Sequence, residues 1–188
     1  MAAFIKMLLV SQVWSAIACI RTRSGIGSAA VQLLKSAGAR VTGVCGPGHL
    51  DLVKGLGADQ VIDYTSADLA SHDHQYDVVF DAVGKISFGQ ARRLLKPGGI
   101  YMSTGPGPGF QNLILPLITP LRGGKKVLFA FPKCDQATVA HLKKLLETGE
   151  FRPVIDRTFP LDHIVDAYRY VETGLKIGNV VIIVTPAS

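Results

Sequence analysis

The strongest constraint on the fold is the regular alternation of short apolar runs with stretches of helical periodicity. Trp14–Ile20 reads as a strand, and Gly25–Ser36 as a helix with Ala29, Ala30, Leu33 and Leu34 inward. Arg40–Cys45 is short and β-branched, His49–Leu56 is helical up to Gly57, and Gln60–Asp63 is a brief strand. Asp77–Phe80 predicts a strand and Ile86–Leu95 a helix, which Pro97-Gly98-Gly99 stops before the strand Ile100–Ser103. Lys126–Phe131 and the helix Asp135–Glu147 follow. Strands separated by helices of this length need crossover connections, which are right-handed and generate a parallel sheet. The expected class is therefore α/β, a Rossmann-type doubly wound parallel sheet over residues 1–150. Residues 151–188 are expected to extend the same unit as strand, helix and strand: Phe151–Phe159 extended, Leu161–Glu172 an amphipathic helix, and Asn179–Val184 a continuous apolar strand that calls for cover on both faces.

Composition narrows the classes of partner. The 188 residues are 48% hydrophobic and 18% charged, enough apolar material for a core and incompatible with global disorder. A mean hydropathy of +0.30 suggests apolar surface meant for another subunit or domain. The net charge of +6 is spread along the chain, with only Arg92-Arg93, Lys125-Lys126 and Lys143-Lys144 as doublets, so no nucleic-acid footprint is expected. Cys19, Cys45 and Cys134 are far apart, which fits a reducing cytoplasm and neither a disulfide framework nor a zinc site. The apolar run Met7–Cys19 resembles an export signal superficially, but it is shorter than the roughly 20 residues of a membrane span and is better read as leading into the first strand.

Glycines mark the candidate binding loops. Ser24-Gly25-Ile26-Gly27 is the first strand-to-helix turn, where backbone N–H groups and the helix dipole suit a pyrophosphate. A dinucleotide fingerprint is G-x-G-x-x-G; with Gly27 as its third glycine, Thr22 and Ser24 stand at the first two positions. The turn by itself is compatible with a phosphate cradle and with a plain tight turn. After the second strand comes Cys45-Gly46-Pro47-Gly48-His49, with no carboxylate before Asp51. NAD sites place an acid there for the ribose 2′-hydroxyl, so this loop favours a 2′-phosphate. His49 is a possible donor to it or a plain surface histidine. Gly105–Gly109 is too rich in glycine and proline for helix or strand and lies just beyond a strand's carboxyl end, where open α/β sheets bind ligands. Leu113–Leu121 is an apolar segment suited to the core, a substrate, a partner domain or a dimer mate. No catalytic constellation or metal set emerges: Asp63 and Asp81 read as strand-end carboxylates, His72 and His74 fall in a polar loop, and His141 and His163 fall on helices.

Several ordered motifs resemble the medium-chain dehydrogenase/reductase superfamily, specifically its quinone oxidoreductase-like branch, often labelled zinc-type alcohol dehydrogenase. They are Leu56-Gly57-Ala58-Asp59 with Val61-Ile62-Asp63-Tyr64, then Asp77–Gly84, Leu94–Gly99, Asp166–Gly174 and Gly178-Asn179-Val180-Val181. The likeness runs from about Ser24 to the C-terminus. It implies that Ser24, Gly25, Ile26 and Gly27 bind pyrophosphate, and that Cys45, Gly46 and His49, supported by Tyr64, receive the adenosine phosphate. Ala82, Val83, Ser103, Thr104 and Gly105 are implied to face the nicotinamide of NADP(H). It further implies hydride transfer to a quinone, enone or related carbonyl, without zinc and without a dedicated proton donor. The family's N-terminal barrel-like substrate domain has no counterpart here, so the chain is expected to supply the cofactor half, to be completed by a homodimer mate or a separate domain. Two other readings stand beside this one. A non-catalytic dinucleotide-binding module would bind without turnover. An S-adenosylmethionine-dependent methyltransferase shares the Leu-Lys-Pro-Gly-Gly motif but wants an acid where Cys45-Gly46 stands.

Overall fold

The computed structural model describes residues 16–20, 22, 24–66, 75–122, 124–129 and 135–184. Six parallel strands form one sheet: β1 (Ala16–Ile20), β2 (Arg40–Cys45), β3 (Gln60–Asp63), β4 (Tyr76–Asp81), β5 (Leu95–Ser103) and β6 (Lys126–Phe129). Their order is β3-β2-β1-β4-β5-β6, so the chain reverses its direction of travel between β1 and β4. That reversal leaves a crevice at the carboxyl ends of these two strands, the site at which doubly wound sheets take up ligands.

The helices are α1 (Gly25–Ser36), α2 (Leu50–Gly55), α3 (Phe88–Leu94), α4 (Gln111–Ile118), α5 (Gln136–Glu147) and α6 (Ile164–Glu172). Alternation along β1 shows how the sheet is covered. Ile17 and Cys19 pack on one face with Ala30, Leu33 and Leu34 of α1 and Leu145 of α5. Ala18 and Ile20 pack on the other with Ala91 and Leu94 of α3. A strand covered on both faces carries no polar alternation, which is why β1 reads as AIACI. Burial pushes the Cys19 thiol up to about 12, so it behaves as a small apolar side chain.

Helix starts follow side-chain caps. Ser24 accepts the Gly27 N–H, Asp135 accepts the Thr138 N–H, and Ser87 with Gln90 forms a reciprocal capping box. That box starts α3 at Phe88, two residues after the expected start at Ile86. The expected helix His49–Leu56 forms as α2, one residue shorter at each end, with His49 closing the preceding 3-10 turn Pro47–His49. β5 begins at Leu95, before the Pro97-Gly98-Gly99 turn. The Gly105–Gly109 stretch is not wholly irregular: Pro108–Phe110 forms a 3-10 turn with Phe110 left-handed at φ 58°. Leu113–Leu121 proves mostly helical, as α4 and the 3-10 turn Thr119–Arg122.

Beyond the main sheet, β7 (Ile155–Pro160) and β8 (Asn179–Ile183) form a separate parallel pair bridged by α6. The expected cover on both faces of β8 is not found. Its residues are half-buried or exposed, Ile183 being 51% exposed, and α6 is the main helix packed on this two-stranded ribbon among the described residues. The Gln32 side chain holds the segment to α1, donating to the Arg152 carbonyl at 3.0 Å and accepting its N–H at 2.8 Å. Trp14, His72, His74 and Cys134 lie outside the described residues.

Candidate cofactor site

All the loops singled out in the sequence leave the carboxyl edge of the six-stranded sheet. Ser24–Gly27 follows β1, Cys45–His49 ends and follows β2, and Tyr64 follows β3. Ala82 and Val83 follow β4, and Ser103–Gly105 ends and follows β5. Parallel strands bring these carboxyl ends to one side.

The first turn is built around two substitutions for glycine. Thr22 is fully buried, and both its N–H and its hydroxyl donate to the Val44 carbonyl, at 3.2 and 3.3 Å. A side-chain bond to β2 thus closes the turn. Ser24 is half-buried, and its Oγ accepts the Gly27 N–H at 3.0 Å. One of the unpaired amides at the N-terminus of α1 is therefore already satisfied. Gly25 has a tight neighbour: an added Cβ would come 2.5 Å from Oδ1 of Asn179, at the start of β8. Ile26 lies 41% exposed at the helix mouth.

At the end of β2, Cys45 is buried, and burial raises its thiol, with the Thr22 hydroxyl opposing and the Asp63 carboxylate adding to the rise. Gly46 is buried beneath the exposed Tyr64, whose hydroxyl would lie 3.5 Å from a Cβ at Gly46. Two exposed residues, Pro47 and Gly48, lead to the half-buried His49 at the start of α2. This edge therefore offers an open loop beside an aromatic ring, with Asp51 in the first turn of the helix as the first carboxylate after it.

The β4 and β5 loops are locked together. Asp81, fully buried, accepts the N–H groups of Val83, Gly84 and Ile86 at 3.1, 2.9 and 3.0 Å and the Tyr101 hydroxyl at 3.3 Å. Its carboxylate shapes a loop, in keeping with a strand-end role. Burial, with the Asp81 charge second, pushes the Tyr101 phenol up to about 12. Thr104 Oγ1 donates to the Ala82 carbonyl at 2.9 Å. A Cβ at Gly84 would come 2.7 Å from the Gly105 Cα, and one at Gly105 would come 2.7 Å from the Val83 carbonyl oxygen. Only glycine permits that backbone contact. Val83, 38% exposed, and the half-buried Thr104 remain at the surface of the crevice. Ser103 is fully buried, its hydroxyl donating to the Gly105 carbonyl at 3.0 Å, so it serves the loop from behind.

Sequence reasoning missed Asp81 as a loop anchor, Tyr101 as its partner, and Asn112. The last is fully buried on α4, and its Nδ2 donates to the Gly105 carbonyl at 3.0 Å. Asp81 lies in the Asp77–Gly84 motif but was read only as a strand-end carboxylate, and neither Tyr101 nor Asn112 belongs to a spaced motif. Among the described residues, no group of three or more His, Cys, Asp or Glu side chains converges as metal ligands would. The loops instead present glycine-lined backbone, a helix N-terminus and one aromatic face, a donor set that suits a dinucleotide. No helix among the described residues is long and apolar enough to cross a membrane.

Comparison with known proteins agrees with this geometry. A family model described as zinc-binding dehydrogenase matches residues 56–182. The 2-methylene-furan-3-one reductase of Solanum lycopersicum is 33% identical over 165 residues, covering 84% of this chain and 37% of the relative. The chloroplastic NADPH-dependent alkenal/one oxidoreductase of Arabidopsis thaliana is 31% identical over 169 residues, covering 86% of this chain and 39% of the relative. A solved quinone oxidoreductase from Coxiella burnetii superposes with a TM-score of 0.81 at 25% identity, covering 96% of this chain and 57% of the other. The chain thus spans about two fifths of the length of the two curated relatives.

Proposed function

This chain belongs to the zinc-binding dehydrogenase family, in the quinone oxidoreductase-like branch of the medium-chain dehydrogenases/reductases, and from that premise we propose that it binds NADP(H) and supplies the cofactor half of a quinone, enone or carbonyl reductase. The observation that carries the reading is the row of glycine-bearing loops along the carboxyl edge of the sheet, at its β1/β4 reversal.

Each end of the dinucleotide has a matching surface. The N-terminus of α1 offers N–H groups and the positive end of the helix dipole to the pyrophosphate. Gly46 under Tyr64 receives the adenosine end, and the absence of a carboxylate between Cys45 and Asp51 favours a 2′-phosphate over a free 2′-hydroxyl. The nicotinamide meets the joined loops Ala82–Gly84 and Ser103–Gly105. When bound, the cofactor supplies a hydride, and the protein's part is to hold the ring and exclude water on that side. In keeping with the family resemblance, the proton is read as coming from solvent rather than from a dedicated acid.

Quinone, enone or carbonyl substrates enter through the relatives alone, two of which are named as reductases of a furanone and of alkenals and enones. A homodimer mate or an additional domain would complete the substrate side, and a cytoplasmic location rests on cysteine usage. Titration of the purified chain with NADPH and NADH, followed by cofactor fluorescence, tests the proposal. Preferential binding of NADPH is expected. Equal binding of both removes the 2′-phosphate argument, and binding of neither removes the cofactor role.

A further inference from the structure

Asn112 is buried at 0% exposure, yet only half of its amide is used. Nδ2 donates to the Gly105 carbonyl at 3.0 Å, while Oδ1 is buried with no hydrogen-bond partner. An orphaned buried acceptor costs stability, and in a natural protein it calls for an explanation. The bond that Asn112 makes is not required to satisfy Gly105. The same carbonyl already accepts the Ser103 hydroxyl at 3.0 Å, and the Gly105 N–H donates to Ser103 Oγ at 3.2 Å. A leucine at 112 would keep the same branched shape at somewhat greater volume, remove the orphan and leave the Gly105 carbonyl bonded. By stability alone, asparagine is the poorer choice.

What the Asn112 bond adds is orientation. It reaches from α4 across to the loop that leaves β5, and the Asn112 backbone N–H adds a second link by donating to the Pro106 carbonyl at 3.0 Å. Gly107, at φ +72°, lies so close that a Cβ there would stand 2.5 Å from Nδ2. On its other side the same loop lies against Val83 and Gly84, which Asp81 fixes. Asp81 holds one half of this two-loop floor and Asn112 the other. We infer that Asn112 is a positioning residue that sets the Ser103–Gly107 loop for the nicotinamide end of the cofactor; the inference rests on the cofactor reading above. It acts through the backbone and touches no reacting atom.

Calorimetric titration with NADPH and with 2′-phospho-ADP-ribose, which lacks the nicotinamide, separates this role from a structural one. In the wild type NADPH binds more tightly than the fragment. In Asn112→Leu that ratio falls about tenfold, the effect of misplacing one well-oriented contact. The fragment's own affinity stays within about twofold and the melting temperature is unchanged or raised, as loss of an orphaned polar atom predicts. Asn112→Ala, which shortens the side chain without branching it, serves if leucine does not fit, with the same selective loss expected. An unchanged ratio in a folded variant overturns the inference, as does a parallel fall in both affinities together with the melting temperature. Wild-type protein that binds both ligands equally also overturns it and leaves the cofactor reading standing, whereas wild-type protein that binds neither overturns that reading itself.

Discussion

Ser24 occupies the position at which a glycine would let backbone and pyrophosphate come closest. Its hydroxyl takes the Gly27 N–H at 3.0 Å, so under the proposed cofactor reading helix capping and phosphate binding would compete for the same amide. Ser24→Gly should therefore tighten NADPH binding several-fold while costing only a few tenths of a kcal/mol in capping. Calorimetric titration of the variant checks this, and equal or weaker binding would show that the hydroxyl helps the ligand. Glycine turns were legible here from residue type alone, because left-handed backbone and close approach restrict the choice so sharply. Asn112 was not legible. A single asparagine among apolar residues carries no spacing signal, and its role exists only once α4 is laid against the β5 loop. Ser103 shows the converse limit: position in a motif placed it at the site, whereas folding turned its hydroxyl to the buried side of the loop.

Elements read best where one force dominates. Gly25–Ser36 and Arg40–Cys45 match their expected bounds because a cap, a helical stripe and a β-branched run all agree. α4 was hidden by Pro116 inside it and by apolar residues all round, which leave no polar face to set a period. Links between elements follow from single polar groups. Asp59 accepts Lys35 Nζ from α1 at 2.8 Å and the Val41 N–H of β2 at 2.7 Å, and these two bonds, Lys35 first, hold its carboxyl below the usual range. A lowered folded-state pKa means the contribution is complete above the unfolded value and is lost as pH falls through the folded one. Asp59→Ala should cost about 1 kcal/mol near neutral pH, mostly through the Val41 N–H, since the Lys35 pair is partly exposed and screened. Urea midpoints compared at about pH 7 and about pH 3 should show the difference between variant and wild type shrinking on acidification. A difference that stays constant would mean the carboxylate charge contributes nothing.

The molecule combines a six-stranded body with a lightly covered ribbon, and the two meet at the Ser24–Gly27 turn. β4 is almost wholly buried, whereas β7 and β8 are half-buried or exposed. Amides of Val180–Ile183 should therefore exchange with solvent through smaller openings than those of Val78–Asp81. The contact between the units is specific: Ser24 forms an isolated parallel bridge with Gly178, and Asn179 packs on Gly25 and donates through N–H and Nδ2 to the Val154 carbonyl, at 2.8 and 3.0 Å. A ligand slows only those openings that destroy its site, by about 2.7 kcal/mol at a hundredfold excess over Kd. If release of β8 disturbs the Ser24–Gly27 turn, saturating NADPH should slow exchange in β8 even though the cofactor is read as lying on the sheet's edge. If protection stops at the crevice loops, the ribbon opens independently and Asn179 is only a neighbour. The same comparison made with 2′-phospho-ADP-ribose should protect β8 equally if the coupling runs through the Ser24–Gly27 turn, since that ligand lacks only the nicotinamide end.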